Sequence, residues 1–254
     1  MLSMSAHLAR GCALLLITFA GAECGWGQAT TSGQAMALQR TADSSFQHDY
    51  ANFARYREEN RTLAPPAPSV QRVVFMGNSI TEGWQRYFAQ MFPGRPYVNR
   101  GIGGQTTPQM LVRFHADVVA LKPAVVVILG GTNDIAGNTG PSTNTMIEQN
   151  LQAMTEIAQA NGIRVVLSSI LPVFDYPWRP GLQPAPRVVA INTWMKAYAA
   201  RIGATYVDYH TAMRDERDGL RREFGDDGVH PNEAGYRVMA RLLQPALATA
   251  LRTR

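Results

Sequence analysis

Hydrophobic and polar positions along this chain switch repeatedly between two periods. Val70 to Met76, Tyr97-Val98, Ala124 to Leu129, Ile163 to Ile170 and Thr205 to Tyr209 are short runs rich in β-branched residues and predict strands. Ala124 to Leu129 is apolar throughout, the pattern of a strand covered on both faces of a parallel sheet. Between these runs, apolar residues recur at three- and four-residue steps. They predict helices over Thr81 to Met91, Pro108 to Leu121, Ser142 to Asn161, Val188 to Arg201 and Glu233 to Leu251. Gly162 supplies a C-terminal cap to the third. Ser44 to Asn60 also steps helically, through Phe46, Tyr50, Phe53 and Tyr56, and Pro65-Pro66-Ala67-Pro68 ends it. That aromatic stripe reads as core. Strand–helix alternation of this kind predicts an α/β fold with a parallel sheet, right-handed crossovers and helices on both faces. No internal repeat and no second domain interrupt it.

Composition narrows the picture. A chain of 254 residues, 46% hydrophobic and 17% charged, fits one globular domain rather than a disordered or fibrous protein. The net charge of +5 raises the question of an acidic partner. The densest basic stretch, Arg214 to Arg222, is interleaved with Asp215, Glu216 and Asp218 and reads as a solvated, salt-bridged face, so no nucleic-acid partner is expected. At the N-terminus Arg10 precedes an apolar run, Cys12 to Ala22, too short for a permanent membrane span, followed by Ala20-Gly21-Ala22 and Gly27-Gln28-Ala29. Residues 1–29 therefore read as a secretory signal peptide, 30–43 as a linker and 44–254 as a single domain. Both cysteines, Cys12 and Cys24, fall within the signal segment, so cleavage after Ala29 leaves a cysteine-free protein suited to an oxidising compartment. Export to the periplasm or beyond, with no stable membrane span after cleavage, is the expectation.

The polar and glycine-rich clusters fall where parallel sheets place their sites, beyond the carboxyl ends of strands. Gly77-Asn78-Ser79-Ile80-Thr81 follows the first strand, and Asn99-Arg100-Gly101-Ile102-Gly103-Gly104 the second. Gly130-Gly131-Thr132-Asn133-Asp134 follows the third, and Asp227-Gly228-Val229-His230-Pro231-Asn232 comes after the fifth. Each has an ordinary structural use: Ser79 as a helix cap, the glycines as a turn, Asn133 and Asp134 as turn residues, Asp227 and His230 as a helix entry. Together they supply the parts of acyl transfer. Ser79 is a nucleophile once a base takes its proton, His230 is that base, and Asp227 fixes its tautomer. The N–H groups of Ser79 and Gly104 and the Asn133 amide are candidate oxyanion donors, each typically worth about 3 kcal/mol of barrier.

These four clusters resemble the signature blocks of SGNH (GDSL-like) hydrolases, with the spacing around Gly104 similar to the platelet-activating-factor acetylhydrolase branch. The resemblance runs from about Arg72 to Leu251. It implies a three-layer α/β/α sandwich, flavodoxin-like, with about five mostly parallel strands, and the roles just given to Ser79, Gly104, Asn133, Asp227 and His230. Choosing Gly104 over Gly103 rests on matching that block. The family's first block usually reads Gly-Asp-Ser, whereas this chain has Asn78. The general α/β-hydrolase fold fits less well, because Thr81 stands where its Gly-x-Ser-x-Gly elbow needs glycine. A zinc deacetylase fits less well too, since His7, His48, His115, His210 and His230 form no ligand pair at metal spacing. The implied mechanism needs neither metal nor organic cofactor.

The expected activity is ester hydrolysis on a small-molecule or glycan substrate, with acetyl groups on carbohydrate preferred. Lysophospholipid or thioester hydrolysis is the enzymatic alternative, and a non-catalytic carbohydrate-binding protein on the same fold is the alternative of another class. The loop Leu171 to Arg187, carrying Phe174, Tyr176 and Trp178, either lines the cleft or packs its aromatics on the core.

Overall fold

A computed structural model describes residues 49–252. The segments expected to be a signal peptide and a linker, both cysteines and the start of the helix expected from Ser44 lie outside the described residues.

Five strands form one sheet: β1 (Val73–Gly77), β2 (Tyr97–Gly101), β3 (Val125–Leu129), β4 (Arg164–Ser168) and β5 (Thr205–Val207). Their spatial order is β2-β1-β3-β4-β5 and every pairing is parallel. This is the doubly wound order in which the chain reverses direction between β1 and β3, opening a crevice there. Side chains of a strand alternate between faces, and the two faces bury separate clusters. Val74, Met76, Val126, Ile128, Val165 and Leu167 pack under α4 (Thr107–Asp117), α6 (Asn144–Ala160) and α7 (Ala185–Ile202). Val73, Phe75, Val125, Val127, Leu129 and Val166 pack under α2 (Ser79–Trp84), α3 (Phe88–Met91) and α9 (Glu233–Arg252). The expected α/β/α sandwich is the observed one.

Departures from the expected elements have local causes. The helix expected over Ser44 to Asn60 is replaced, among the described residues, by a 3-10 turn at Phe53–Arg55 and a short α1 (Arg57–Thr62). Asp49 takes the N–H groups of Phe53 and Ala54 on its carboxylate, and Asn52 turns left-handed at φ 54°, which no continuous helix allows. Of the aromatic stripe, Tyr56 is core while Tyr50 stays exposed. The helix expected over Thr81 to Met91 breaks at a 3-10 turn, Gln85–Tyr87, between α2 and α3. Two one-turn helices were not expected: α5 (Thr132–Ile135), and α8 (Tyr209–Met213), which Asp208 caps by accepting the Thr211 N–H at 2.9 Å. The basic stretch is salt-bridged as expected, Arg214 to Asp218 at 2.6 Å and Arg221 to Glu223 at 2.9 Å. No helix among the described residues is long and apolar enough to cross a membrane.

Candidate active site

Ser79 opens α2 immediately beyond β1. Asn78 caps that helix, its Oδ1 accepting the Ile80 N–H (3.2 Å) and its carbonyl the Glu82 N–H (2.8 Å). A neutral amide thus performs the capping that an aspartate would, a contribution of about 1 kcal/mol. The cap seats close against β2 because residue 101 has no side chain. A Cβ there would stand 2.1 Å from the Glu82 nitrogen.

The second half of the pair comes from the loop before α9. Asp227 Oδ1 accepts the backbone N–H groups of Val229 (2.9 Å) and His230 (2.7 Å), closing a tight turn through Gly228. That leaves Oδ2 to face the imidazole, at 2.6 Å from His230 Nδ1. Burial pushes the Asp227 carboxyl up. The His230 N–H, the imidazole and the Val229 N–H more than offset it, so the group titrates below its ordinary range. An ionised carboxylate only accepts, so Nδ1 donates and Nε2 is left as the acceptor that faces Ser79 Oγ at 2.9 Å. Two residues after the imidazole, Asn232 starts α9 by accepting the Gly235 N–H on its side chain at 3.1 Å.

Besides the N–H of Ser79 itself, the proposed oxyanion donors come from the loops after β2 and β3. Gly103 packs beside it, since a Cβ at Gly103 would lie 3.9 Å from that of Ser79. The Gly103 N–H is taken by Glu82 Oε2 at 2.9 Å. Gly104, left-handed at φ 74°, has its carbonyl held by Asn138 Nδ2 at 3.0 Å, while its N–H has no acceptor among the described residues. Asn133, in the turn of α5, is 3% exposed and donates one amide hydrogen to the Gln105 carbonyl at 2.9 Å, leaving a second to spare. Beside it Asp134 ties α5 to α4: both carboxylate oxygens lie 3.0 Å from the Thr107 nitrogen, and Oδ1 also takes the Thr107 hydroxyl at 2.5 Å. Burial pushes the Asp134 carboxyl up to about 6, against the lowering effect of the Thr107 donors.

The aromatic loop divides its residues. Tyr176 is fully buried, and its hydroxyl meets both the hydroxyl and the carbonyl of Thr132 at 2.9 Å, fixing the turn that carries Asn133. Trp178 is 44% exposed and stands beside the imidazole, its ring centroid 6.2 Å from that of His230. Phe174 lies under the Arg217 guanidinium. Both uses of the loop are therefore present, on different residues.

All five residues proposed from the sequence gather at the carboxyl end of the sheet, in the crevice between β1 and β3 and around it. Glu82 and Gln105, which hold the proposed oxyanion segments, escaped sequence reading. They are polar residues inside predicted helix or loop, and only tertiary contact gives them meaning. A parallel α/β sandwich carrying a Ser–His–Asp relay defines the class of serine hydrolases that lack a glycine elbow. The chain belongs to the GDSL-like lipase/acylhydrolase family, whose model matches residues 75–238. It is 43% identical to the crystal structure of a GDSL-like lipase from Bacteroides thetaiotaomicron, which superposes with a TM-score of 0.78 over 80% of this chain and 100% of that one. It is 27% identical to an acetylxylan esterase of Xylanibacter ruminicola over 74% of this chain but only 45% of that protein, so it spans less than half of that relative. Esterase TesA of Pseudomonas aeruginosa is likewise 27% identical, over 69% of this chain and 83% of its own.

Proposed function

We propose that this chain is an exported serine esterase that removes short acyl groups, acetyl above all, from carbohydrate. The relay from Ser79 Oγ through His230 to Asp227, at 2.9 and 2.6 Å, carries the reading. In it, the Ser79 oxygen attacks the ester carbonyl while its proton passes to His230 Nε2. The oxyanion takes hydrogen bonds from the Ser79 and Gly104 N–H groups and the Asn133 amide. Collapse expels the sugar hydroxyl, which leaves with the proton from the imidazolium, and water repeats the sequence on the acyl-enzyme. Asp227 remains ionised and stabilises the imidazolium throughout.

Two observations favour a sugar as the leaving group. Trp178 presents an open aromatic face next to the base, a surface on which a sugar ring can stack, and one relative is an acetylxylan esterase. Export is supported by the Arg10 to Ala29 pattern and is tested by N-terminal sequencing of the protein recovered outside the cytoplasm. The catalytic reading is tested with chromogenic acetyl, butyryl and octanoyl esters and then with acetylated xylan. Acetyl should be fastest, acetate should be released from the glycan, and Ser79→Ala should lower turnover by at least about 10⁴-fold. An unchanged Ser79→Ala rate removes Ser79 as the nucleophile, whereas a parent protein that cleaves none of these esters leaves a carbohydrate-binding protein. Preference for octanoyl over acetyl replaces the glycan with a lipid acyl substrate.

A further inference from the structure

Behind the oxyanion loops lies an ion pair that the chemistry above does not use. Arg113 and Asp117, one turn apart on α4, are 0% and 2% exposed, with Nη1 2.9 Å from Oδ2. Desolvating two charges is costly, and apolar residues often replace such pairs without loss of stability. Stability is therefore a poor reason for this one. What the guanidinium touches suggests another. Nε donates to Gln105 Oε1 at 2.6 Å, and Nη2 donates to the Gly77 carbonyl at 2.9 Å. Gly77 lies two residues before Ser79, and Gln105 directly follows Gly104. The Gln105 carbonyl in turn receives the Asn133 amide at 2.9 Å. The far oxygen of the carboxylate, Asp117 Oδ1, is held by Asn60 Nδ2 at 2.6 Å.

We infer that Arg113 is a positioning residue for the oxyanion hole: its one rigid fork fixes, relative to each other, the segments that carry Ser79, Gly104 and Asn133. The inference rests on the esterase reading. Donors to a developing oxyanion act only if they are in place beforehand, and a shift of about 1 Å at such a site can cost about 100-fold in rate. Three acceptors in three directions within one plane suit a guanidinium and not the ammonium of lysine. Because the fork touches no substrate, its loss should appear in kcat and leave KM alone.

The test uses the whole protein and a chromogenic acetyl ester. Arg113→Met/Asp117→Leu deletes both charges together, so no lone charge is left buried. Arg113→Lys keeps the cation beside Asp117 but cannot span the fork. Each variant is measured for Tm, kcat, KM and affinity for phenylboronic acid, which bonds to the Ser79 oxygen as a tetrahedral adduct. The expected result is a folded protein with kcat down about 10- to 100-fold, KM within about twofold, and boronate affinity weakened in parallel with kcat. Where the double variant does not fold, Arg113→Lys decides by the same criteria. A folded variant with kcat and boronate affinity within about twofold of the parent makes the pair purely structural and overturns the inference. A parent protein inert to both ester and boronate overturns the esterase reading instead, and the inference with it.

Discussion

The two halves of the site are built in opposite ways. The acid–base half is local and open: Asp227 and His230 are three residues apart, with side chains 44% and 37% exposed, held by one turn and the cap of α9. The oxyanion half is dispersed and closed. Asn133 at 3% exposure, Gln105 at 3% and Arg113 at 0% come from different loops and helices and are joined to one another by hydrogen bonds spanning up to 28 residues. Chemistry explains the difference. The base must exchange protons with serine, leaving group and water and so needs an open side, whereas oxyanion donors work by being fixed in place beforehand.

The comparison predicts that damage to the open half costs rate alone, while damage to the closed half costs rate and stability together. Asp227→Asn tests this most severely. The turn survives on the remaining oxygen, but the amide that replaces Oδ2 faces Nδ1 and enforces the wrong tautomer. Turnover should fall by about 10⁴-fold with the folded structure intact. A Tm loss of many degrees breaks the comparison. Asn133→Ala removes an oxyanion donor and the tie to Gln105, so kcat should fall about 10²- to 10³-fold and stability by about 1–2 kcal/mol in denaturant melts. Trp178→Ala belongs to the open half. It should raise KM for acetylated xylan roughly tenfold while the chromogenic acetyl ester is turned over as before. Equal effects on both substrates remove Trp178 from the sugar site.

The effect that leaves turnover aside is a pH signature of the closed half. Asp134 titrates near 6 in the folded protein, against 3.8 for an ordinary aspartate. Between those values the folded state holds a proton that the unfolded chain releases. Stability should therefore fall as pH rises through that window, by roughly 3 kcal/mol in all. Asp134→Asn should flatten the slope, which melts between pH 4 and 7 will read.

The same division decided what could be read from the sequence. The strands announced themselves because a sheet buried on both faces demands unbroken apolar runs, as at Ala124 to Leu129. Asp227 and His230 were legible because their contact is made within a single turn. Which glycine frees its N–H was not legible from the residues alone and came from matching the family block, because Glu82 takes the Gly103 N–H from another helix. Nor was Arg113, whose position inside an amphipathic helix looks like surface charge until Gly77 and Gln105 fold around it. The break at Asn52 was missed because Asp49 outcompetes helical hydrogen bonding over a span too short for periodicity to register.

The loop ahead of α9 also sets an order in time. Chains are made from the N-terminus, so the segments bearing Ser79, Gly104 and Asn133 leave the ribosome well before the one bearing His230. The segment that carries the base is held in the finished fold where the terminal helix packs against the sheet. A chain shortened by that one helix loses the support of its base while keeping every strand. On the esterase reading a serine without its docked base is inert, so cleavage of a chromogenic ester would report that the terminal helix is in place.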